Sequence, residues 1–346
     1  MPTPAYLNVD IINPSTGTTV AVNGTFVGSP NLDPTNIAIG CAPAGISVAS
    51  HNNTLIGGAA GVNTTTGYQN TALGTYAAQS LTTGWDNVAV GTNPLFANVS
   101  GNENVAIGNW AAYSQTGGSG TVAVGKDALR FCTDYGSVAV GYNALRTLVT
   151  GFDNCAVGKY SLQNTTSGSG NTALGVLSGT AFVTGNNNTF IGYSTGDATL
   201  LSGSNNTSIG YNAEPSTSTA NNQITLGNAS ITSLRCAVTS ITSLSDSRDK
   251  EDVKDLSTGL DFVKSLRPVE FTWNDRDEAG KHGVADFGFI AQDLKKAQED
   301  AEKAEVLKLV YEENPEKLEA SYGKLIPILV KAIQELSAEV TSLKKK

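Results

Sequence analysis

Charged residues are scarce in the first two thirds of this 346-residue chain. Residues 1–240 carry 5 Lys and Arg and 9 Asp and Glu, whereas residues 241–346 carry 17 and 22. Both parts are therefore weakly acidic, and neither offers a basic stripe that could neutralise phosphates, which argues against nucleic acid as a partner. Glycine follows the opposite trend, with 32 of 37 glycines before residue 241. This shift predicts a nearly uncharged part and a smaller charge-rich domain, joined around 240–246.

Long apolar runs are also missing. No stretch approaches the 18 or so apolar residues that a membrane span needs, and the N-terminus lacks a charged segment followed by an apolar core. We therefore expect no membrane insertion, and the usual route to a secreted adhesin is disfavoured.

Cysteine and histidine are too few and too scattered to indicate a metal site. The cysteines are Cys41, Cys132, Cys155 and Cys236. Their spacing matches no metal motif, and we interpret them as small buried hydrophobes rather than disulfide partners. The two histidines stand alone, so the sequence predicts neither a metal nor a cofactor.

What the first part does contain is a glycine that recurs about every 17 residues. These glycines are Gly40, Gly57, Gly74, Gly91, Gly108, Gly125, Gly141, Gly158, Gly175, Gly192, Gly210 and Gly227. Most repeats read Asn, a small or apolar residue, Ala, Ile/Val/Leu and Gly, as in 87–91 and 104–108. Self-similarity at a fixed short period indicates a solenoid.

The repeat predicts a mainly β rod of stacked coils, a β-roll or β-solenoid, over residues 36–240. Glycine every 7 to 10 residues would break a helix, and alternation of Ala with Val/Ile/Leu suits a half-buried strand. We expect a strand, a turn, a second short strand and another turn in each coil. Twelve coils about 4.8 Å apart would extend roughly 55 to 60 Å. Small Ala side chains favour a thin roll or several chains about one axis.

These repeats resemble the head repeats of trimeric autotransporter adhesins, which form a trimeric β-roll. The resemblance runs from Asn36 to about Gly227 and implies a fold more than a function, because such repeats serve as spacers and display surfaces. The chain lacks the export signal and the terminal membrane anchor of those adhesins, which weakens a bacterial-surface interpretation.

The charge-rich part carries three ordered motifs of another family. They are Ser-Asp-Ser-Arg-Asp-Lys at 245–250, Phe-Val-Lys-Ser-Leu-Arg-Pro-Val-Glu-Phe-Thr-Trp at 262–273 and Gly-Phe-Ile-Ala-Gln-Asp at 288–293. Together they resemble peptidase S74, the C-terminal intramolecular chaperone of phage endosialidases and tail fibres. That family aids trimerisation and then removes itself by self-cleavage. We therefore expect 241–346 to be a small α+β chaperone and autoprotease domain.

By that resemblance Ser245 is the nucleophile and Lys250 is the general base. A lysine can accept a hydroxyl proton only when it is neutral near pH 7, well below its ordinary value of about 10.4. Asp246 and Arg248 are the other distinctive letters of the motif and are predicted to orient the loop. Without the resemblance, a serine among Asp, Arg and Lys would be read as a solvated turn.

Ring size limits the bond that is cut. Ser245 can attack the preceding carbonyl, that of Leu244, through a five-membered ring, whereas attack on its own carbonyl would need a four-membered ring. The intramolecular route therefore favours cleavage between Leu244 and Ser245. A serine from another chain could instead cut between Ser245 and Asp246, which the family resemblance also allows. The sequence therefore leaves two candidate bonds, one on each side of Ser245.

The C-terminal segment, about 324–346, shows the seam of a heptad helix. One apolar position holds Ile326, Ile333 and Val340, and the other holds Tyr322, Leu329, Leu336 and Leu343. Pro327 is tolerable only near a helix start, which places that start close to Lys324. Two alternatives remain: packing of one helix on its own domain, or self-association of a short helix.

Residues 1–35 are predicted to be a rod cap or a segment that attaches to other virion tail proteins, with a hairpin over 7–26. We expect a homotrimeric phage tail fibre or appendage, made in the host cytoplasm and located in the virion, with a host surface molecule as a further candidate partner. A trimeric surface adhesin is the alternative. A glycan-degrading tailspike is disfavoured because the nine acidic residues of 1–240 form no local cluster.

Overall fold

The structure is a computed structural model that describes residues 36–40, 50–133, 136–197, 202–235, 237, 245–274 and 282–345. The predicted N-terminal segment 1–35, the junction residues 240–244 with Leu244, and Cys41 and Cys236 lie outside the described residues. The chain divides into two compact units, Met1–Asn228 and Ala229–Lys346.

The first unit is a β-solenoid, as the repeat predicts. Its described residues contain twelve strands that form a single sheet in chain order, and every neighbouring pair is parallel. The strands are β1 (Ile37–Ile39), β2 (Thr54–Ile56), β3 (Thr71–Leu73), β4 (Val88–Val90), β5 (Val105–Ile107), β6 (Val122–Val124), β7 (Val138–Val140), β8 (Cys155–Val157), β9 (Thr172–Leu174), β10 (Thr189–Ile191), β11 (Thr207–Ile209) and β12 (Ile224–Leu226). Equivalent repeat positions are paired, so the 17-residue period is also the pairing register.

The middle residue of most strands is small and faces the interior, although Leu55 in β2 and Phe190 in β10 fill this position, and the residues on either side face outward. Ala89, Ala106 and Ala123 are completely buried, whereas Ile107 is 39% exposed. Each strand is short, and the interior is closed by apolar residues of the turns, such as Leu95 and Leu129. The outer face of the sheet therefore carries two rows of side chains, and neither row contains a charged residue.

The predicted second strand of each coil is wrong for most of the solenoid. In the described coils it is reduced to isolated bridges that join Thr150, Ser167 and Thr184. The reason lies in the turn that follows each coil glycine, where two nearby residues take left-handed conformations, as Trp110 (φ 59°) and Ala112 (φ 49°) do. Left-handed residues cannot continue an extended strand, so this wall of the coil is built of turns.

A ladder of buried asparagines joins successive coils. The Oδ1 atom of Asn87 accepts hydrogen bonds from the backbone N–H and the Nδ2 of Asn104, at 3.1 and 3.0 Å. Its Nδ2 donates to Asn70 Oδ1 at 3.0 Å and to the carbonyl of Gly101 at 2.8 Å. Three coils break the pattern, with Thr121, Ser137 and Gln223 at the equivalent position. Each asparagine thus satisfies polar groups of the adjacent coils in the buried interior.

The coil glycine is required by the close approach of neighbouring coils. Gly108 has φ +139°, and a Cβ on it would lie 2.5 Å from the carbonyl oxygen of Gly125 in the next coil. Two constraints therefore exclude a side chain here: the backbone conformation and the contact with the adjacent coil.

The second unit is a small α+β domain that ends in a helix, as the fold prediction states. It contains α1 (Leu260–Ser265), β13 (Val269–Thr272), β14 (Ala285–Gly288), α2 (Ala291–Asp300), α3 (Ala304–Leu307), β15 (Val310–Tyr311), β16 (Glu319–Ala320) and α4 (Leu325–Lys344). The pairs β13–β14 and β15–β16 are antiparallel. The core consists of Phe262, Leu294, Leu307, Leu309, Val310, Leu325 and Ile328.

Helix α4 packs on this core through one face and leaves its heptad seam exposed. Leu325, Ile328 and Ala332 are buried, whereas Ile326 and Ile333 of the seam are 63% and 66% exposed. Pro327 occupies the first turn, where its missing N–H has no intrahelical partner to lose. Helix α4 thus packs on its own domain, which is the first of the two alternatives, but through a face that does not include the predicted seam. Among the described residues, no helix is long and apolar enough to cross a membrane.

We predict that Gly108→Ala destabilises the solenoid strongly, by about 3 kcal/mol or more, because both the backbone and the next coil must move. Gly117→Ala in the same coil is the matched control, since the nearest atom to an added Cβ there is Ser100 Oγ at 3.4 Å. Thermal unfolding of both variants measures the difference. Equal melting temperatures would contradict the proposed contact between coils.

Candidate functional site

The hexapeptide 245–250 folds around a short 3-10 helix, Ser247–Asp249. Asp246 precedes this helix in an extended conformation, and its Oδ1 accepts a hydrogen bond from the backbone N–H of Arg248 at 2.9 Å. Acceptance of an N–H by an aspartate in this position is the usual way to begin such a turn. The turn reverses the chain, so that residues five apart in the sequence meet.

The two residues brought together are Ser245 and Lys250. The Nζ of Lys250 lies 2.6 Å from the Oγ of Ser245 and 3.2 Å from the carbonyl oxygen of Ser245. These are hydrogen-bond distances, and they meet the geometric requirement for a nucleophile and its base. Both residues are exposed in the isolated chain.

Asp246 and Arg248 form a second contact that holds the same turn. The guanidinium of Arg248 donates from Nε and Nη2 to the Asp246 carboxylate, with the shortest distance 2.7 Å. The side chain and then the backbone N–H of Arg248 lower the pKa of Asp246, and the carboxylate in turn raises the pKa of Arg248. Both groups therefore remain charged at neutral pH, and the pair braces the loop that carries Ser245 and Lys250.

The second and third sequence motifs lie side by side in the domain. Strands β13 and β14 pair so that Val269 is opposite Gly288. Arg267, just before β13, donates to Asp293 Oδ2 from Nε at 3.0 Å and from Nη2 at 2.7 Å. Residues of the second and third motifs thus join the β13–β14 pair to the start of α2.

A further supporting residue, Glu335 on α4, was not predicted from the sequence. Its Oε2 accepts a hydrogen bond from the backbone N–H of Leu260 at 2.7 Å, which caps the first turn of α1. The two residues are 75 positions apart, so local spacing carried no signal of the contact. Glu335 ties the C-terminal helix to the segment that contains the second motif.

The described part of the chain contains no group of three or more His, Cys, Asp or Glu that could hold a metal ion. His51 and His282 lie in different units. Cys132 is buried and Cys155 is half-buried, and both belong to the solenoid. The chemistry available at 245–250 is therefore that of a hydroxyl, an amine and an ion pair.

Comparison with known protein families gives a match in the C-terminal part of the chain. Residues 245–303 match the model of the family Peptidase S74, described as the chaperone of endosialidase. Neither the search of curated proteins nor the search of solved structures returned a match. The matched region begins at Ser245 and includes all three motifs and the Ser245–Lys250 contact. A β-solenoid followed by a region that matches the endosialidase-chaperone model fits a tail fibre with a C-terminal chaperone domain.

Proposed function

We propose that this chain is a homotrimeric phage tail fibre or appendage whose C-terminal domain directs assembly and then cuts itself from the rod at Ser245. The family match implies a self-cleaving chaperone peptidase. The observation that carries the finer proposal is the 2.6 Å contact between Lys250 Nζ and Ser245 Oγ within the matched region. No external substrate is needed, because the scissile bond is in the chain itself.

In the proposed reaction, neutral Lys250 accepts the hydroxyl proton while Ser245 Oγ attacks the Leu244 carbonyl carbon. The bond from that carbon to the Ser245 nitrogen breaks, the nitrogen takes up a proton, and an ester joins Leu244 to Oγ. Water then hydrolyses the ester to a Leu244 carboxylate and regenerates the serine hydroxyl. If the serine of another chain attacks the Ser245 carbonyl instead, the bond to Asp246 breaks in the same manner.

The exposure of Ser245 and Lys250 in one chain makes the proposed reaction depend on assembly. An amine in bulk water is protonated at neutral pH and cannot act as a base. Exclusion of water around the amine would favour its neutral form. We infer that neighbouring chains cover this loop, so that cleavage follows assembly rather than precedes it.

The outer face of the solenoid sheet supports self-association. The last position of every strand is aliphatic, and these twelve residues form one row. They are Ile39, Ile56, Leu73, Val90, Ile107, Val124, Val140, Val157, Leu174, Ile191, Ile209 and Leu226. At about 4.8 Å per strand the row extends over about 50 Å. Monomeric proteins seldom expose so long an apolar surface, and further copies of the same chain would cover it.

The exposed seam of α4 supports the same conclusion for the C-terminal unit. Residues at alternating spacings of three and four, such as Ile333, Leu336 and Val340, are 66%, 48% and 42% exposed. Since α4 already contacts its own domain through another face, the seam is available to further copies. We propose that the C-terminal domain trimerises first and sets the register of the near-identical coils. Residues 1–35 then serve as the attachment to other tail proteins.

We predict that the full chain separates into fragments of about 245 and 101 residues, and that Ser245→Ala and Lys250→Ala each leave it intact. Ser247→Ala and Lys254→Ala are matched controls in the same exposed segment and should cleave normally. Mass spectrometry of the intact products also identifies the bond that is cut. Normal cleavage of Ser245→Ala would remove Ser245 as the nucleophile.

We predict that Ile107→Glu in the aliphatic row shifts the protein away from a trimer and lowers its thermal stability. The added carboxylates would be buried between chains without partners. Thr116→Glu adds the same charge to an exposed position of the same coil and should have little effect. Sedimentation velocity and thermal unfolding test both variants. A stable Ile107→Glu trimer would show that this face is not the contact between chains.

We predict that deletion of 246–346 from the gene is far more harmful than their removal after folding. Coils that are nearly identical can pair one repeat out of register and keep most apolar contacts, so a template is needed. Residues 1–245 made alone should be insoluble or misassembled, whereas the same fragment released from the full chain should be a soluble trimer. Equal yields of native trimer by both routes would contradict a chaperone role.

A further inference from the structure

The few basic residues of the solenoid are concentrated in neighbouring coils. Of the five Lys and Arg before residue 241, four lie between positions 126 and 159, and the fifth is Arg235. These four residues lie in the turns that follow β6, β7 and β8. A local concentration of positive charge on a weakly acidic rod calls for a physical explanation.

The four basic residues share one side of the coil. Lys126 and Lys159 each follow the coil glycine directly, and Arg130 and Arg146 lie five residues after Gly125 and Gly141. All four therefore belong to the turn that follows the strand.

The exposed acidic residues of the neighbouring coils occupy a different position. Asp86, Glu103 and Asp153 each lie five residues before a coil glycine, in the turn that precedes the strand. The strand separates the two turns, so in these coils the exposed positive and negative side chains form different columns. The separation is confined to these coils, because Asp197 and Glu214 also lie in turns that follow a coil glycine.

Aromatic rings hold the two lysines. The Nζ of Lys159 lies 4.9 Å from the ring centroid of Tyr160 and 6.0 Å from that of Tyr142. The Nζ of Lys126, in the preceding coil, lies 5.8 Å from the ring centroid of Tyr142. Tyr142 itself is 39% exposed. Two ammonium groups thus flank one accessible ring.

Aromatic rings also hold the two arginines. The guanidinium of Arg130 lies 4.0 Å from the ring centroid of Trp110 and 5.1 Å from that of Phe131. The guanidinium of Arg146 lies 5.6 Å from Phe131, whose side chain is 38% exposed. Arg130 is paired with Asp127 at 3.0 Å. We call Trp110, Lys126, Arg130, Phe131, Tyr142, Arg146, Lys159 and Tyr160 the aromatic–basic strip.

Arg146 and Lys159 differ from Arg130 in their lack of an acidic partner. Among the described residues, no carboxylate lies within ion-pair distance of either side chain. Their contacts with rings fix their positions and leave their donors available. A guanidinium and an ammonium held in this way are suited to a carboxylate ligand, since charge-assisted hydrogen bonds are the stronger kind.

We infer that the aromatic–basic strip binds an acidic polysaccharide whose sugars carry carboxylates. Exposed rings such as Tyr142 and Phe131 offer flat apolar surfaces to the C–H faces of sugars, and the adjacent cations recognise the carboxylates. A polymer with a short repeat can lie along the coils and meet equivalent positions in succession. Its negative charge is complementary to the strip and would be repelled by the acidic column of the other turn.

Single-stranded nucleic acid also combines anionic groups with flat rings, but the strip fits it less well. Nucleic acid requires a basic groove that follows its backbone over several nucleotides. Here the cations span only three coils, on a unit that is acidic as a whole. The interpretation of polysaccharide binding as host recognition rests on the proposed tail-fibre function. The binding itself rests on the solenoid alone.

The test uses the purified full-length protein and oligogalacturonate, a chain of carboxylate-bearing sugars, as the ligand in isothermal titration calorimetry. We expect saturable binding that weakens as salt is raised, and no binding of a neutral maltooligosaccharide of the same length. The double variant Arg146→Gln with Lys159→Gln should bind at least tenfold more weakly. The double variant Arg235→Gln with Lys254→Gln removes the same charge outside the strip and should bind as the unchanged protein does.

Tyr142→Ser keeps every charge and should also weaken binding, so the proposal remains testable if the double variant fails to assemble. Sedimentation velocity checks assembly of each variant. The proposal is overturned if oligogalacturonate does not bind, if the strip variants bind as the control does, or if the neutral sugar binds equally well. Tighter binding of an oligothymidylate would assign the strip to nucleic acid instead. Self-cleavage, measured separately by mass spectrometry, tests the proposed function independently.

Discussion

The hydrogen bonds between successive coils are the interaction on which the rest of this protein depends. A three-residue strand has no stability by itself, and it exists here because each coil pairs with two neighbours. The buried Asn70, Asn87 and Asn104 extend this pairing into the interior, where each amide bonds to adjacent coils. Each such bond contributes only about 1 kcal/mol, but an unmade one would leave buried polar groups without partners. Repetition therefore fixes the register of the whole sheet.

That constraint also determines which apolar surface of the solenoid is left exposed. Because coils approach closely and strands are short, the interior accepts Ala106 and its equivalents, and the larger Ile107 and its equivalents point outward. The result is an aliphatic row without charge on a repeating scaffold. Such a surface is well suited to further copies of the chain but poor at distinguishing one coil from the next. A domain that sets the register from one end would solve that difficulty.

The C-terminal unit contains two functional side chains that contact each other but are exposed to solvent. The turn at 245–250 brings Lys250 to Ser245, and the Asp246–Arg248 pair braces it. The helix α4 combines a face that holds the domain with a seam that faces outward. Under the proposed function, these two features are linked: association through the seam covers the loop, and the covered lysine can then act as a base. Cleavage would thus occur only after assembly is complete.

The sequence by itself determined the period, the positions of the coil glycines, the break in composition near residue 240 and the hexapeptide that begins the region matched by the family model. Each of these is a local pattern with a direct physical cause, such as the close contact at Gly108. Only the tertiary structure decided that turn residues such as Leu95 and Leu129 close the interior, because they lie outside the repeated strand motif. It also decided that left-handed turns replace the second strand, and that Glu335 caps α1 across 75 residues. These features depend on contacts between distant residues, which no local pattern contains.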